Sequence, residues 1–316
     1  MLRAYIKDLK VGDVVLNQQF GVLSFAKKLG RTGNEYYEVI LSDKSGHIDA
    51  KIWANSFNYC DLNINEGGVV EITGKVDSFN DKPQLIIEKL TEVKTFDPAD
   101  FLYSGTRNKE EIWNYLINEV NSLEDAEIKN ITLKILNNDE IQNSYKKATA
   151  AEYVHHDFVG GLLEHVYEML VIAKSVKFLY PEINYSELVF GIVFHDIGKL
   201  YEYKTSGISL GRTKSGYLLG HIVQGLLFLN TFFEESFNAD KKDRLLHLIS
   251  SHHGSKEFGS PVNPSTIEAV MLSQIDDLSS KAGIFYTQKR NSLVDNLGFI
   301  GFNKYLGANI LDTDSY

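Results

Sequence analysis

One ordered series of metal-binding residue types constrains this chain more than any other feature. Five of its nine histidines and two aspartates follow one another in the order His165, His195-Asp196, His221, His252-His253, Asp276. Imidazole and carboxylate groups commonly bind divalent metal ions. Several such groups are buried together only with partners, and the usual partner of neutral histidine beside aspartate is a metal. The chain must therefore fold so that residues far apart in sequence meet at one metal site.

The sequence around the first members of the series has the pattern of buried helices. Apolar residues recur at every third or fourth position around His165, which places this histidine beside the buried stripe of an amphipathic helix. The run Leu188–Phe194 is apolar almost throughout and predicts a core helix that ends near His195 and Gly198. Two adjacent polar ligands at the end of a buried helix suit a metal bridge.

Three further helices are predicted to carry the remaining ligands. An apolar run follows His221, and another precedes His252-His253. Ser265 and Glu268 resemble a capping box that opens the helix carrying Asp276. The ligands would then come from five helices, which predicts an all-α domain.

The N-terminal part has a different pattern, because short β-prone runs alternate with turns rich in Gly, Asn and Asp. The predicted strands are Val11–Leu16, Tyr36–Leu41, His47–Trp53, Val69–Val76 and Gln84–Glu88. Five strands with no long helix between them predict a small β-barrel.

The charge of the chain argues against a general nucleic-acid coat protein. The formal net charge is −10, so the chain has no overall basic field. A local patch could still form from Lys27, Lys28 and Arg31. Aromatic residues that could stack on bases are Phe25, Tyr36, Trp53, Phe57 and Phe79, although aromatic residues of a small barrel are more often core.

Taken in order, the metal-binding residues resemble the HD-domain metal-dependent phosphohydrolases, in a variant that holds two metals. Lys199 completes the His195-Asp-Ile-Gly-Lys segment of that resemblance. Four segments are similar to the bacterial YhaM-type 3′-5′ exoribonucleases: His155–His165, Leu219–His221, Ser251–Gly254 and Phe258–Pro261. This similarity covers most of the chain and implies that the barrel is an OB-fold ahead of the HD domain.

The resemblance implies a role for each residue of the series. The implied ligands of the first metal are His165, His195, Asp196 and Asp276. The second metal would share Asp196 and add His221 and His252. The spacing does not choose between Asp276 and Asp277, and only the family register favours Asp276.

Further roles follow from the same resemblance. His253 matches a position that is either a ligand or a phosphate contact, and Lys199 would face the scissile phosphate. The implied catalytic residues are thus Asp196, Lys199 and His253. Apart from the resemblance, His155 and His156 precede the helix of His165 and could contact substrate or equally lie on the surface. With the barrel residues Lys27, Lys28, Arg31 and Trp53, they are the candidate substrate contacts.

The donor set also limits the metal. Nitrogen and oxygen donors without thiolate suit manganese, iron, cobalt or zinc better than calcium, and the resemblance favours two Mn²⁺ ions. Such a pair of ions activates water for phosphodiester hydrolysis, so no covalent nucleophile is needed.

We therefore expect a 3′-5′ exoribonuclease that degrades single-stranded RNA to nucleoside monophosphates, with single-stranded DNA as a second candidate substrate. One alternative keeps the site but acts on a small nucleotide or a cyclic dinucleotide. Another is a nucleic-acid-binding module whose metal is structural. No membrane partner is expected, and the sequence leaves homo-oligomerisation open.

Length and composition complete the expected organisation. The 316 residues predict two cores, with an OB-fold over 1–95, a helical connector over 96–140, the HD domain over 141–290 and a tail of irregular structure over 291–316. A single cysteine excludes an internal disulfide, and neither a signal peptide nor a long apolar segment is visible. The expected compartment is the cytoplasm.

Overall fold

The computed structural model describes residues 5–30, 33–79, 82–97, 100–101, 105, 107–149, 158–291 and 297–313. Three candidate substrate contacts, Arg31, His155 and His156, lie outside these residues. The chain forms two compact units. The first comprises Met1–Ser104 with Thr205–Gly211, and the second comprises Gly105–Lys204 with Arg212–Tyr316.

The first unit is a closed five-stranded barrel. Its strands are β1 (Val14–Leu29), β2 (Glu35–Asp43), β3 (Gly46–Trp53), β4 (Val69–Phe79) and β5 (Lys82–Val93). They pair in the order β1-β2-β3-β5-β4, and the pairing of β1 with β4 closes the barrel. The β3–β5 pair is parallel, whereas the other pairs are antiparallel. The predicted five-stranded barrel is confirmed.

Buried and exposed side chains alternate along the strands, and the buried ones form the barrel core. In β3, Ile48, Ala50 and Ile52 are buried, while the residues between them are exposed or half-buried. Strand β1 is longer than predicted, because it continues to Leu29 whereas the predicted strand ended at Leu16. Polar residues such as Asn17 and Gln18 interrupt the β-prone pattern at this point, where the pairing of β1 is irregular between Val15 and Gln18.

Residues 205–211 belong to the barrel unit although they lie within the second half of the sequence. They include the turn and parts of both strands of a hairpin, β6 (Tyr203–Ser206) and β7 (Ser209–Arg212). The Ile208 amide donates to the Gly67 carbonyl at 2.9 Å, and the Ile208 side chain is buried with Val69 and Phe101. No local sequence pattern predicts that this segment joins the barrel unit.

The second unit is mainly helical. Its helices are α1 (Lys109–Asn121), α2 (Ala126–Leu136), α3 (Asp139–Lys147), α4 (Gly161–Leu179), α5 (Tyr185–Phe194), α6 (Lys199–Glu202), α7 (Lys214–Asn230), α8 (Ala239–Ser251) and α9 (Ile267–Asn291). One hydrophobic core joins residues from α1 through α9. The described part of the chain has no helix long and apolar enough to span a bilayer.

The predicted core helix is α5, which packs against α4, α8 and α9. Its residues from Ser186 to Phe194 are all buried, including Glu187. The Glu187 carboxylate accepts hydrogen bonds from Arg244, with Nη2 to Oε1 at 2.9 Å. This pairing lets a charged residue lie in the core.

Two local predictions were wrong. Thr266, rather than Ser265, caps α9, because its hydroxyl accepts the Ala269 amide at 3.2 Å, while Glu268 accepts the Asn184 amide. The C-terminal region is not irregular throughout, since β8 (Phe299–Asn303) and β9 (Ala308–Leu311) form a hairpin. An ion pair between Lys289 and Asp312 at 2.9 Å ties this hairpin to α9.

Candidate metal centre

His165 lies on the buried side of α4 and is fully enclosed. The Ser279 hydroxyl on α9 donates to Glu168 at 2.8 Å, so its oxygen is left to accept from His165 Nδ1 at 3.0 Å. This arrangement fixes the proton of the ring on Nδ1. The other nitrogen, Nε2, then points away from the helix with its lone pair.

The His195-Asp196 pair follows the last residue of α5. His195 Nδ1 donates to the carbonyl of Ile192 at 2.9 Å, which again leaves Nε2 as the acceptor. Gly198 begins the next turn, and a Cβ at this position would lie 1.9 Å from the His221 carbonyl oxygen. Gly198 is therefore required for the close approach of this turn to α7.

His221 follows a break in α7. Gly220 has φ +66°, a conformation that favours glycine, and it turns the chain where His221 begins the second part of the helix. His221 Nδ1 donates to the carboxylate of Glu202 at 3.0 Å. The predicted helix after Gly220 is confirmed, although a first helical segment precedes it.

The two remaining histidines end α8, as predicted. His252 Nδ1 donates to the Ile249 carbonyl at 2.8 Å, and His253 Nδ1 donates to the Phe258 carbonyl at 2.9 Å. Gly254 follows with φ +81°, which ends the helix.

The structure distinguishes the two adjacent aspartates of α9. Asp276 Oδ1 lies 3.1 Å from His165 Nε2, whereas Asp277 points to solvent and pairs with Lys281 at 2.7 Å. Only Asp276 of these two thus contacts another residue of the series.

The predicted ligands converge in two groups of three. His165, His195 and Asp276 form one group, and His221, His252 and His253 form the other, with the donor atoms in each group within 4.8 Å of one another. The groups are hereafter the first and the second triad. Both contain residues that prediction assigned to metals, and the second also contains His253.

Asp196 lies between the two triads. Its Oδ2 is 3.3 Å from His195 Nε2, while its Oδ1 is 3.5 Å from His221 Nε2 and 3.8 Å from His252 Nε2. Each oxygen of one carboxylate therefore points to a different triad, which is the arrangement that a bridging ligand requires.

The donor atoms fit divalent cations. Nε2 of His195, Nε2 of His252 and Oδ1 of Asp196 are buried and have no hydrogen-bond partner among the described residues. The Nε2 atoms of His221 and His253 lie 3.3 Å apart, although both Nδ1 atoms already donate elsewhere. Lone pairs that converge with carboxylates need a proton or a cation between them, and the donor set suits Mn²⁺, Fe²⁺, Co²⁺ or Zn²⁺.

Burial and neighbouring charges set the protonation of the centre. Burial alone would raise the pKa of Asp196, but Lys199 and His195 hold it well below its usual value. Burial likewise opposes ionisation of Asp276, yet the close contact with His165 and the positive charge that His195 and His165 carry when protonated hold its pKa below its usual value. Burial together with His195 lowers the pKa of His252 well below its ordinary value, which keeps this imidazole neutral. The ionised aspartates and the neutral His252 are in the forms that bind metals, whereas for His195 burial lowers the pKa but Asp196 outweighs it and raises the pKa above its ordinary value.

Lys199 lies in the same centre. Its ammonium is 2.5 Å from Asp196 Oδ2, and its side chain is only 10% exposed. Burial lowers the pKa of Lys199, but Asp196 outweighs this effect and raises it above the ordinary value. The lysine is thus a fixed positive charge beside the Asp196 carboxylate.

The candidate RNA-contacting residues of the barrel lie partly on its surface and partly in its core. Lys27 pairs with Glu35 at 2.8 Å, and Lys28 is exposed. Phe25 and Phe57 pack on the barrel core through Tyr37, so they are core residues.

Trp53 belongs to an exposed aromatic group on the barrel. Trp53 and Phe79 are 42% and 53% exposed, and the Trp53 ring lies 5.4 Å from that of Tyr36. The Lys51 ammonium lies over all three rings, at 5.4 Å from Tyr36, 5.5 Å from Trp53 and 4.4 Å from Phe79. We call these four residues the aromatic platform.

Several residues of these sites were missed by sequence reasoning. Glu202 and Ser279 accept hydrogen bonds from histidines of the two triads, and the Lys51 ammonium lies over the rings of the platform. The position of Lys51 beside Trp53 on a predicted strand could have indicated it. No local pattern identifies Glu202 or Ser279, because their contacts are set by tertiary packing.

The contact at Gly198 leads to a first prediction. We expect Gly198→Ala to lower the free energy of unfolding by about 2 kcal/mol and to weaken Mn²⁺ binding, because the new methyl group would push α7 and His221 away. Thermal melting and Mn²⁺ titration measure both effects. Gly211→Ala is the control, since a Cβ there meets no atom within 4 Å. Equal behaviour of the two variants would contradict the role given to Gly198.

Comparison with known proteins defines the class first. Residues 20–93 match the family described as OB-fold nucleic acid binding domain, and residues 162–281 match the HD domain. The chain is thus an OB-fold barrel followed by a helical HD domain, as the sequence predicted.

Curated relatives then define the family. The 3′-5′ exoribonuclease YhaM of Listeria monocytogenes serotype 4b (strain CLIP80459) is 31% identical over 273 residues, which cover 85% of this chain and 86% of the relative. The protein of the same name from Listeria innocua is 31% identical over 274 residues, with the same coverage. The chain belongs to the YhaM family of 3′-5′ exoribonucleases.

Among solved structures, the second OB-fold domain of replication protein A from Methanococcus maripaludis aligns with 30% of this chain and 99% of its own length. The identity is 13% and the TM-score is 0.24. No functional conclusion follows from so distant a similarity.

Proposed function

We propose that this protein is a metal-dependent 3′-5′ exoribonuclease that hydrolyses single-stranded RNA to nucleoside monophosphates. The observation that carries the proposal is the convergence of five imidazole Nε2 atoms and two aspartates at one buried centre. Relatives that bear the name 3′-5′ exoribonuclease, and the OB-fold ahead of the HD domain, support RNA as the substrate.

Each triad would hold one divalent ion, and Asp196 would be shared by both. We assign His253 to the second triad as a ligand rather than a phosphate contact, because its Nε2 lies 3.3 Å from that of His221. Its Nδ1 donates to Phe258, so the ring is already held in the orientation that a ligand requires. We propose Mn²⁺ for both positions, since the donors are imidazole and carboxylate without thiolate.

When bound, two such ions supply Lewis-acid activation of the attacking water and neutralise charge on the phosphodiester. The residues of the chain supply the rest. Asp196 and Asp276 provide negative charge at a largely buried position, and the Nδ1 hydrogen bonds keep the five Nε2 atoms aimed at the centre. Lys199 provides the positive charge that stabilises phosphate oxygens in the transition state.

The barrel would bind the single strand through the aromatic platform. Exposed rings such as Trp53 and Phe79 can stack on bases of any sequence, and Lys51 between them can contact the phosphate backbone. A local platform of this kind is compatible with the net charge of −10, because it requires no basic field over the whole surface.

The platform leads to a second prediction. We expect Trp53→Ala to weaken binding of a single-stranded RNA by about 10-fold to 100-fold, since one stacked base contributes about 1–3 kcal/mol. Fluorescence anisotropy with a labelled oligomer measures the affinity. Tyr59→Ala is the matched control, because Tyr59 is an exposed barrel ring outside the platform. An unchanged affinity of Trp53→Ala would remove the platform from the RNA-binding surface.

The proposed function is tested by a time course with 5′-labelled single-stranded RNA and Mn²⁺. A 3′-blocked RNA and the matching DNA are run beside it, and a cyclic dinucleotide serves as a separate substrate. We expect a ladder that shortens from the free 3′ end and stops at the block. Hydrolysis of the dinucleotide without any RNA ladder would contradict the proposal and favour a small-nucleotide phosphodiesterase.

A further inference from the structure

Glu202 is a buried carboxylate directly behind the second triad. It is the last residue of α6, is 2% exposed, and places Oε2 3.0 Å from His221 Nδ1. Its other oxygen, Oε1, lies 3.5 Å from Arg212 Nη2. The family comparison assigns no role to this residue.

The five ligand histidines differ in the group that accepts their Nδ1 hydrogen. The acceptors of His195, His252 and His253 are backbone carbonyls, and that of His165 is the Ser279 hydroxyl. His221 alone among the five donates to a carboxylate. A carboxylate behind an imidazole makes the opposite nitrogen a stronger electron donor to a metal.

The two triads also differ in charge. The first contains Asp276, whereas the second contains only imidazoles. Asp196 lies between both, so its single negative charge would be divided between two ions. Without another anion, the second triad would hold a dication with little compensating charge.

We propose that Glu202 is a positioning residue that supplies this missing negative charge through His221 and thereby sets the affinity of the second triad for its divalent ion. The inference rests on the proposed function, because it presumes that both triads bind ions. It predicts that the charge of Glu202, and not only its ability to accept a hydrogen bond, is required.

The backbone of Glu202 is held by hydrogen bonds at both its amide and its carbonyl. Its amide donates to the Gly198 carbonyl at 2.9 Å, and its carbonyl accepts the Thr213 amide at 2.9 Å. A Cβ at Gly216 would lie only 2.3 Å from the same carbonyl oxygen, so the start of α7 packs directly on Glu202. The carboxylate is therefore fixed relative to the helix that carries His221, and an isosteric replacement should keep its place.

The test is a calorimetric titration of the full-length protein with Mn²⁺, comparing wild type with Glu202→Gln. Glutamine has the same shape and can still accept from His221 Nδ1, but it lacks the charge. We expect two binding events in the wild type and, in Glu202→Gln, one event weakened by about 10-fold to 100-fold with the other changed less than about 3-fold. Glu202→Asp, which keeps the charge, should retain more of the lost affinity and provides a second variant should Glu202→Gln fold poorly.

Two control variants separate the charge effect from a general loss of stability. Glu187→Gln removes another buried carboxylate that pairs with an arginine but contacts none of the ligand histidines. Arg212→Gln breaks the Glu202–Arg212 pair while leaving the carboxylate in place. Both should bind two Mn²⁺ ions with nearly wild-type affinity, even if their melting temperatures fall.

The outcomes distinguish the inference from the proposed function. If Glu202→Gln binds both ions as the wild type does, or if Arg212→Gln reproduces its loss, the role of the Glu202 charge is refuted while the two-ion centre stands. If the wild type itself binds fewer than two Mn²⁺ ions, the two-ion centre of the proposed function fails, and the inference fails with it.

Discussion

Asp196→Asn is expected to lower kcat for RNA hydrolysis by on the order of 10³-fold or more. The reason is that Asp196 reaches both triads, with one oxygen 3.3 Å from His195 and the other 3.5 Å from His221. Asparagine keeps the shape but removes the charge that two cations would share. Affinity for single-stranded RNA should change less than about 2-fold, because the stacking contacts of the platform are untouched.

The control for this prediction is Asp277→Asn. It makes the same chemical change at an exposed aspartate one position from a predicted ligand, and Asp277 contacts Lys281 instead of a histidine. Its kcat should stay within about 2-fold of the wild type, as for other exposed sites away from the centre. Near-normal hydrolysis by Asp196→Asn under saturating Mn²⁺ would refute the assignment of the centre as catalytic.

Lys199→Met is expected to lower kcat by about 10²-fold while KM for RNA changes little. Methionine keeps the apolar stem of the side chain but removes the buried positive charge. Because the ammonium lies 2.5 Å from Asp196 Oδ2, it also competes with cations for this oxygen. Mn²⁺ affinity of Lys199→Met should therefore equal or exceed that of the wild type, although catalysis falls.

This opposite movement of metal affinity and kcat separates a catalytic lysine from a structural one. If Lys199 were only structural, its replacement would lower both Mn²⁺ affinity and kcat, because the centre would lose its shape. Lys204→Met is the matched control, since Lys204 is an exposed lysine five positions further along. Steady-state kinetics and Mn²⁺ titration measure the two quantities on the same preparations. A parallel loss of Mn²⁺ binding and kcat would contradict the role given to Lys199.

The sequence predicted the architecture well where an apolar run or a clear alternation marks the buried residues. The apolar run from Leu188 to Phe194 indicated a buried segment, which is the core helix α5, and alternation in β3 indicated which residues face the barrel interior. Prediction failed where polar residues occupy a strand, as at Asn17 and Gln18 in β1. It also failed for residues 205–211, because a segment that returns to the barrel unit leaves no local signal.

The ligand types could be predicted because few other reasons bury histidine beside aspartate. The spacing alone could not choose between Asp276 and Asp277, and only the family register favoured Asp276, because the direction of each of two adjacent helical residues depends on how α9 packs. The side chains that accept hydrogen bonds from the histidine Nδ1 atoms could not be predicted either, because their positions also depend on tertiary packing. Ser279 is 114 positions from His165, and Glu202 belongs to a four-residue helix with no distinctive pattern.

The most direct test of the central claim is an anomalous-difference map from crystals of the Mn²⁺-loaded protein, recorded near the manganese absorption edge. Two peaks are expected, one among His165, His195 and Asp276 and the other among His221, His252 and His253, with Asp196 contacting both ions. A single peak, or manganese bound away from these residues, would contradict the two-metal centre on which this account of RNA hydrolysis depends.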